Sequence, residues 1–278
     1  MKRFRKIYLE ITNCCNLRCS FCPGTKRSPK VMAEEEFAAL LPKLQPWADF
    51  LYFHIMGEPL SHPNLGRFLQ LAGKYGFRVI LTTNGTLLGK RPETLRKAAS
   101  VHKINISLHA FEANQLAMSF SEYLEQCFSF AQTVHGEKLV VYRLWNQGGA
   151  EAKNGDILAV MESFFPKPWK VERRGTRIGE RVYLELSDKF EWPDLSAADG
   201  GEHIFCYGLR DQLGVLSDGT VIPCCLDHEG DLALGNLFQE SMTEILTKPR
   251  AQAIYDGFTN KKAAEELCRR CGYARRFL

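Results

Sequence analysis

No apolar run in this chain approaches the roughly 20 residues needed to cross a bilayer. The basic start Met1-Lys2-Arg3-Phe4-Arg5-Lys6 is followed only by Ile7-Tyr8-Leu9 before Glu10 intervenes, too short for a secretory hydrophobic core. Charge of one sign is also scarce: 36 Lys and Arg against 32 Asp and Glu leave a net charge of +4, which gives no argument for a nucleic-acid or membrane surface. Internal repeats and low-complexity tracts are missing, which excludes a repeat array and composition-driven disorder. With 278 residues, 45% of them hydrophobic, the length suits one large or two modest domains around a substantial core. These features predict a cytoplasmic protein.

Cysteine, by contrast, is abundant. There are ten, and in a reducing compartment that number argues for metal binding or catalysis rather than disulfides. Three lie at Cys15-x3-Cys19-x2-Cys22, with Cys14 beside them but outside the spacing. The rear group is Cys206, the pair Cys224-Cys225, and Cys268-x2-Cys271, while Cys127 stands alone in a helical stretch and reads as a buried inert thiol. Soft thiolates suit zinc or iron–sulfur clusters. A structural zinc takes four protein ligands, so three regularly spaced front cysteines leave one position open, as a reactive site requires. The four rear positions suit a closed site.

Between the two groups, strands and helices alternate. Strands are predicted over 4–12, 50–55, 77–82, 102–108 and 139–144, and helices over 33–41, 65–75, 92–99 and 112–133. That alternation predicts parallel βαβ units, and the apolar strands, with little strict alternation, suggest a sheet covered on both faces. Active residues then collect on loops at the carboxyl ends of strands. Those ends hold Asn13 to Pro23, Met56-Gly57-Glu58-Pro59, Thr83-Asn84-Gly85, Ser107-Leu108-His109 and Arg143. Further on, Arg173-Arg174-Gly175-Thr176-Arg177 reads as a solvated loop, Leu213 to Ile222 as a hairpin turning at Asp218-Gly219, and Met242 to Tyr255 as a helix. Arg143, a charge on an apolar strand, needs a partner: a bound carboxylate, Glu58 or Glu185 would serve.

The motif Cys15-x3-Cys19-x2-Cys22, with aromatic Phe21 before the third cysteine, resembles the defining loop of radical S-adenosylmethionine enzymes. The resemblance implies a partial (β/α)6 TIM-like barrel over residues 1–200. Its front thiolates would hold a [4Fe-4S] cluster whose open iron binds S-adenosylmethionine. Met56-Gly57-Glu58-Pro59 looks like the family's Gly-Gly-Glu-Pro loop with its first glycine replaced, and Glu58 would keep the acceptor role towards the cofactor's amino group. Asn84 resembles the segment after the third strand. Ser107 matches a strand-four serine that reaches the cofactor, and His109 stands where many members have aspartate. Arg143 resembles an arginine that pairs with the cofactor carboxylate in some relatives. The rear cysteines look like the SPASM region in its shortened form, twitch, over residues 201–278. Cys206, Cys224, Cys268 and Cys271 would hold a second, auxiliary [4Fe-4S] cluster. Cys225 is the alternative to Cys224, since neighbours on a strand would face opposite sides.

The implied activity is cleavage of S-adenosylmethionine to a 5′-deoxyadenosyl radical that removes hydrogen from a substrate carbon, with a net oxidation or a peptide or small-molecule modification as the outcome. Epimerisation and thioether formation remain open, with Cys127 or Cys225 as a hydrogen donor in the first. The implied partners are a small-molecule or peptide substrate and a reductant such as flavodoxin or ferredoxin, with no membrane, and RNA as a less favoured substrate. Readings of another class stay open beside these. They are a zinc knuckle at the front using Cys14 or a histidine, a zinc ribbon at the rear, and a non-catalytic scaffold or RNA-binding protein built on them.

Overall fold

The computed structural model describes residues 4–277, so Met1 to Arg3 of the basic start lie outside the described residues. Eleven strands form in chain order: β1 (Lys6–Leu9), β2 (Phe50–Phe53), β3 (Arg78–Thr83), β4 (Val101–Ser107), β5 (Leu139–Gln147), β6 (Lys170–Glu172), β7 (Gly175–Gly179), β8 (Val182–Asp188), β9 (Gln212–Val215), β10 (Thr220–Ile222) and β11 (Gly235–Asn236). They join one sheet in the order β11-β10-β9-β1-β2-β3-β4-β5-β8-β7-β6. From β1 to β5 and on to β8 every pairing is parallel, which supplies the six strands of the expected partial barrel. Helices Glu34–Leu44, Leu65–Lys74, Pro92–Lys97, Phe120–Thr133 and Asn154–Phe164 fall between them, as parallel connections demand. The cysteine-rich rear region extends the same sheet: β9 pairs in parallel with β1, Tyr8 opposite Gly214.

The strands alternate more strictly than the sequence reading supposed. Ile7, Leu9, Leu51, Phe53, Val79, Leu81, Ile104, Ile106, Val140 and Leu144 face outward into the buried core beneath the helices. Their neighbours Lys6, Tyr8, Tyr52, His54, Thr82, Lys103, Asn105, Ser107, Arg143 and Glu185 face a cavity of about 1090 Å³ instead. The inner face is therefore polar and open, where a closed barrel would pack apolar layers.

Four expectations are corrected. The helix expected over 112–133 begins only at Phe120, where Ser119 caps it by accepting from the Glu122 amide and Glu122 reaches back to the Ser119 amide. The run Arg173 to Arg177 is a hairpin, with Arg173 and Arg174 at the turn between β6 and β7. The helix expected over 242–255 is two, Met242–Thr247 and Pro249–Thr259, because Pro249 cannot continue the first and is suited to open the second. Cys224 and Cys225 lie in a bend past the end of β10, so strand alternation does not govern where they point. The 213–222 hairpin forms as read, with Gly219 at φ +85°. Among the described residues, no helix is long and apolar enough to cross a membrane.

Candidate active site

The front cysteines follow β1 on a loop that its own polar side chains hold down. Asn13 donates to the Ser28 carbonyl (2.9 Å) and accepts from the Lys30 amide (2.7 Å), tying the loop's start to its return. Cys14 turns towards Asn13 and the Lys30 carbonyl. The Leu17 amide donates to Cys15 Sγ at 3.4 Å, and Asn114 Nδ2 donates to Cys19 Sγ at 3.0 Å. Asn114 also accepts from the Arg18 amide at 3.0 Å, so one side chain orients both the loop and a thiol. Sequence reading missed Asn114 by placing it inside a helix. It lies in the turn preceding that helix, where asparagine is favoured. Burial raises all three thiols, Cys19 to about 11.

Behind this loop lies the Met56 to Pro59 segment. Gly57 has φ +76°, and a Cβ there would sit 2.2 Å from the Thr12 carbonyl oxygen and 2.9 Å from that of Cys14. Only glycine lets the two loops touch. The Glu58 amide donates to the Cys14 carbonyl (2.9 Å). Its buried carboxylate accepts from the Leu60 amide (2.9 Å) and the Asn84 amide (2.8 Å), leaving spare lone pairs. Burial pushes that carboxyl up to about 7 against the pull of those amides and Thr83. Asn84 in turn donates to Asn16 Oδ1 at 3.0 Å, linking the β3 end to the cysteine loop. Ile55, just before the segment, has φ +122°, a strained value for a β-branched residue.

Phe21, Ser107, His109 and Arg143 line the large cavity, whereas Cys15 borders a shallow surface hollow with Asn16, Arg18 and Asn114. Phe21 and His109 pack with ring centroids 4.8 Å apart, and Trp192 Nε1 donates to the Phe21 carbonyl (3.1 Å). His109 Nδ1 lies 3.0 Å from the Arg143 carbonyl oxygen, to which it can only donate, and 3.4 Å from the Trp145 amide; with that tautomer Nε2 carries the lone pair. Burial pushes its pKa down to about 4, so the ring is neutral. The partner that Arg143 needed is Glu185, at 3.0 Å from Nε, with Trp145 stacked 4.3 Å from the guanidinium carbon. Cys127 is fully buried beneath Gly85, its thiol pushed up to about 12 by burial, as expected of an inert cysteine.

At the rear, Cys206, Cys224 and Cys271 border the same cavity. Burial raises their thiols, and Cys224 also feels Cys206, Cys225, Cys271 and Cys268. Cys225 borders the same cavity and feels Cys271, but its thiol is also hydrogen-bonded to Tyr8 and lies near Lys6. Among the described residues, no three His, Cys, Asp or Glu side chains converge tightly enough to hold one ion. Four rear thiols near one another suit a multi-iron cluster, in which each ligand binds its own iron.

Residues 9–129 match the family model of the radical SAM superfamily, and residues 206–272 that of SPASM, an iron–sulfur cluster-binding domain. The chain carries a radical SAM domain followed by a SPASM domain. As a radical SAM–SPASM protein it uses a [4Fe-4S] cluster with S-adenosylmethionine and an auxiliary iron–sulfur cluster, not the zinc sites left open above. It is 32% identical over 117 residues to S-adenosyl-L-methionine-dependent 2-deoxy-scyllo-inosamine dehydrogenase of Niallia circulans, covering 39% of this chain and 46% of that one. It is also 32% identical over 114 residues to AdoMet-dependent heme synthase of Methanosarcina barkeri, covering 39% and 32%. The matches thus span less than half the length of these curated relatives. The structure of BtrN in complex with AdoMet and 2-DOIA superposes with a TM-score of 0.62 at 22% identity, over 98% of this chain and 94% of that one. Streptococcus suis SuiB gives 0.64 at 12% identity, over 92% and 68%. At these identities the likeness establishes the shared fold.

Proposed function

We propose that this chain is a radical SAM oxidoreductase or maturase that removes hydrogen from a substrate carbon, with net dehydrogenation as the principal outcome. Residues 1–200 form the catalytic barrel and 201–278 the auxiliary-cluster region. When bound, the clusters and S-adenosylmethionine supply a 5′-deoxyadenosyl radical and an electron acceptor. The chain's own residues do the rest. Cys15, Cys19 and Cys22 hold the front cluster, and Cys206, Cys224, Cys268 and Cys271 the rear one. Gly57, Glu58, Pro59 and Asn84 shape the cofactor's seat, with Ser107 and Arg143 directed at its polar groups. Phe21, His109 and Trp192 wall the reacting space against water, and His109 Nε2 is a proton acceptor at its edge.

One observation carries this reading: a single cavity touches Phe21, Ser107 and His109 beside the front loop and Cys206, Cys224 and Cys271 at the rear. A substrate held there adjoins both cluster sites, as an oxidation needs. The test is anaerobic reconstitution with iron content and 5′-deoxyadenosine release as readouts. About eight irons per chain, for two four-iron clusters, and release abolished in a Cys15/Cys19/Cys22 triple alanine variant are expected. A protein that takes up zinc and releases none would overturn the reading.

A second reading, epimerisation, is favoured by the Cys225 thiol, which borders the cavity and is hydrogen-bonded to Tyr8. It predicts deuterium from heavy water in the product, lost in Cys225→Ala. A product two electrons more oxidised than the substrate, with no deuterium, decides for dehydrogenation.

A further inference from the structure

The inner face of the sheet holds more positive charge than its own carboxylates balance. Lys6, Lys103 and Arg143 border the cavity with Glu185 among them. That carboxylate is shared, at 3.0 Å from Arg143 Nε and 3.7 Å from Lys103 Nζ. Asp211, at the rim, is matched by Arg5 at 3.8 Å. Lys6 makes no ion pair among the described residues, and its ammonium rests 5.0 Å from the ring centroids of Tyr8 and Tyr52. Burial lowers the pKa of both lysines, opposed by Cys225 and Asp211 at Lys6 and by Glu185 at Lys103, while the charge of Arg143 lowers both further. With Arg143 held by Glu185 and directed at the cofactor, Lys6 and Lys103 are left as half-buried cations that need a counter-anion or water beside them. Arg173 and Arg174 stand exposed at the edge of the same cavity, where they attract anions. The run read from sequence as a solvated loop thus acquires a place.

A second observation is independent of charge. Asn105 is fully buried on the same wall, and its Nδ2 donates to Thr82 Oγ1 at 3.2 Å. Its Oδ1 accepts nothing. A buried acceptor without a partner is costly, and one that borders a cavity marks where a ligand donor fits.

We infer that this cavity binds a compact substrate whose anionic group, a phosphate or a carboxylate, lies against Lys6 and Lys103, and whose hydroxyl or amino group donates to Asn105 Oδ1. The inference rests on the radical-enzyme reading and names the substrate class for that site. Anchoring the anion near the lysines leaves the remainder of the molecule directed along β4 towards Ser107, four residues and about 13 Å further on.

The test uses the anaerobically reconstituted full chain and acetic anhydride, with acetylation of each lysine read by mass spectrometry. Inorganic phosphate or malonate should slow modification of Lys6 and Lys103 about tenfold, as expected for charge-assisted bonds, while exposed Lys74 is unchanged and glycerol has no effect. The anion that protects more strongly tells a phosphate ester from a carboxylic acid. No protection by either anion, or equal protection of Lys74, overturns the inference. Calorimetry gives a second measure: Kd for the protecting anion should weaken about tenfold in Lys6→Met and in Lys103→Met, and an unchanged Kd in both overturns it. Deoxyadenosine release by the unmodified protein is scored separately. Release without protection sinks only the anion site, and protection without release sinks only the radical reading.

Discussion

Arg27 is the strongest test of how the front loop is held to the rear domain. Its guanidinium meets Glu10 in a bidentate pair at 2.8 and 2.7 Å, and its Nε donates to the His228 carbonyl at 2.8 Å. Glu10 has a fully buried side chain and also accepts from the Ser217 amide (3.2 Å) and hydroxyl (2.9 Å). One buried carboxylate thus joins the end of β1, the cysteine loop and the β9–β10 turn. Arg27→Met leaves that carboxylate with only Ser217 as donor, a loss of about 3–5 kcal/mol for a broken buried pair. At roughly 2–4 °C per kcal/mol for a chain of this size, Tm should fall by about 10 °C. The double variant Glu10→Met/Arg27→Met should recover most of it, because an apolar pair replaces both charges and only the Ser217 donors are stranded, at about 1–3 kcal/mol. Urea unfolding of the four cycle members at neutral pH measures this, and the loss in Arg27→Met should persist in high salt because the pair is shielded from solvent ions. A loss below about 1 kcal/mol, or a double variant equal to the sum of its singles, would refute the reasoning.

Three further outcomes follow from single sites. Gly57→Ala places a Cβ against two backbone carbonyls at a positive φ worth about 1–3 kcal/mol alone, so the front loop should shift and reconstituted iron fall by about half; wild-type iron content would show that the loops can separate harmlessly. Asn114→Leu removes the N–H donor to Cys19 Sγ and should lower the front cluster's reduction potential, on the order of 50 mV, in an EPR-monitored titration; an unmoved potential would exclude Asn114 as a tuning group. His54 is half-buried on the cavity wall, and desolvation with the charges of Arg143 and Lys6 pushes its pKa down to about 3 from 6.5. Its folded pKa is depressed, so its contribution is complete above about pH 6.5 and is lost as pH falls towards 3. That amounts to about 2 kcal/mol between pH 6.5 and 5. His54→Gln should lose that part of the pH slope in urea unfolding, and an unchanged slope would place the titration elsewhere.

The parts of this fold that were legible in sequence are local: the Cys15, Cys19 and Cys22 spacing, the parallel strands that lead to the loops of Glu58, Asn84 and Ser107, and the Asp218-Gly219 turn. Each is a short-range pattern with a fixed physical cause. What escaped depends on where distant residues meet. Ser119-x-x-Glu122 was a readable capping box, and recognising it would have cut the long helix at the right place and freed Asn114 to lie in the turn before it. The β6–β7 hairpin was hidden because its strands are short and polar and gain stability from pairing onto β8. Most instructive is the sheet's inner face. Arg143 alone looked like a charge on an apolar strand, because Lys6, Lys103, Arg143 and Glu185 lie some forty or more residues from one another in sequence. Read with period two they share one face, and parallel pairing brings Ser107 beside Arg143 and Arg143 beside Glu185. A sheet covered on both faces cannot keep four ionised side chains on one of them without a solvent or ligand space to receive them. The period-two placement of these charges therefore itself demands a cavity, and the excess of Lys and Arg over Asp and Glu along its lining argues that what enters is an anion.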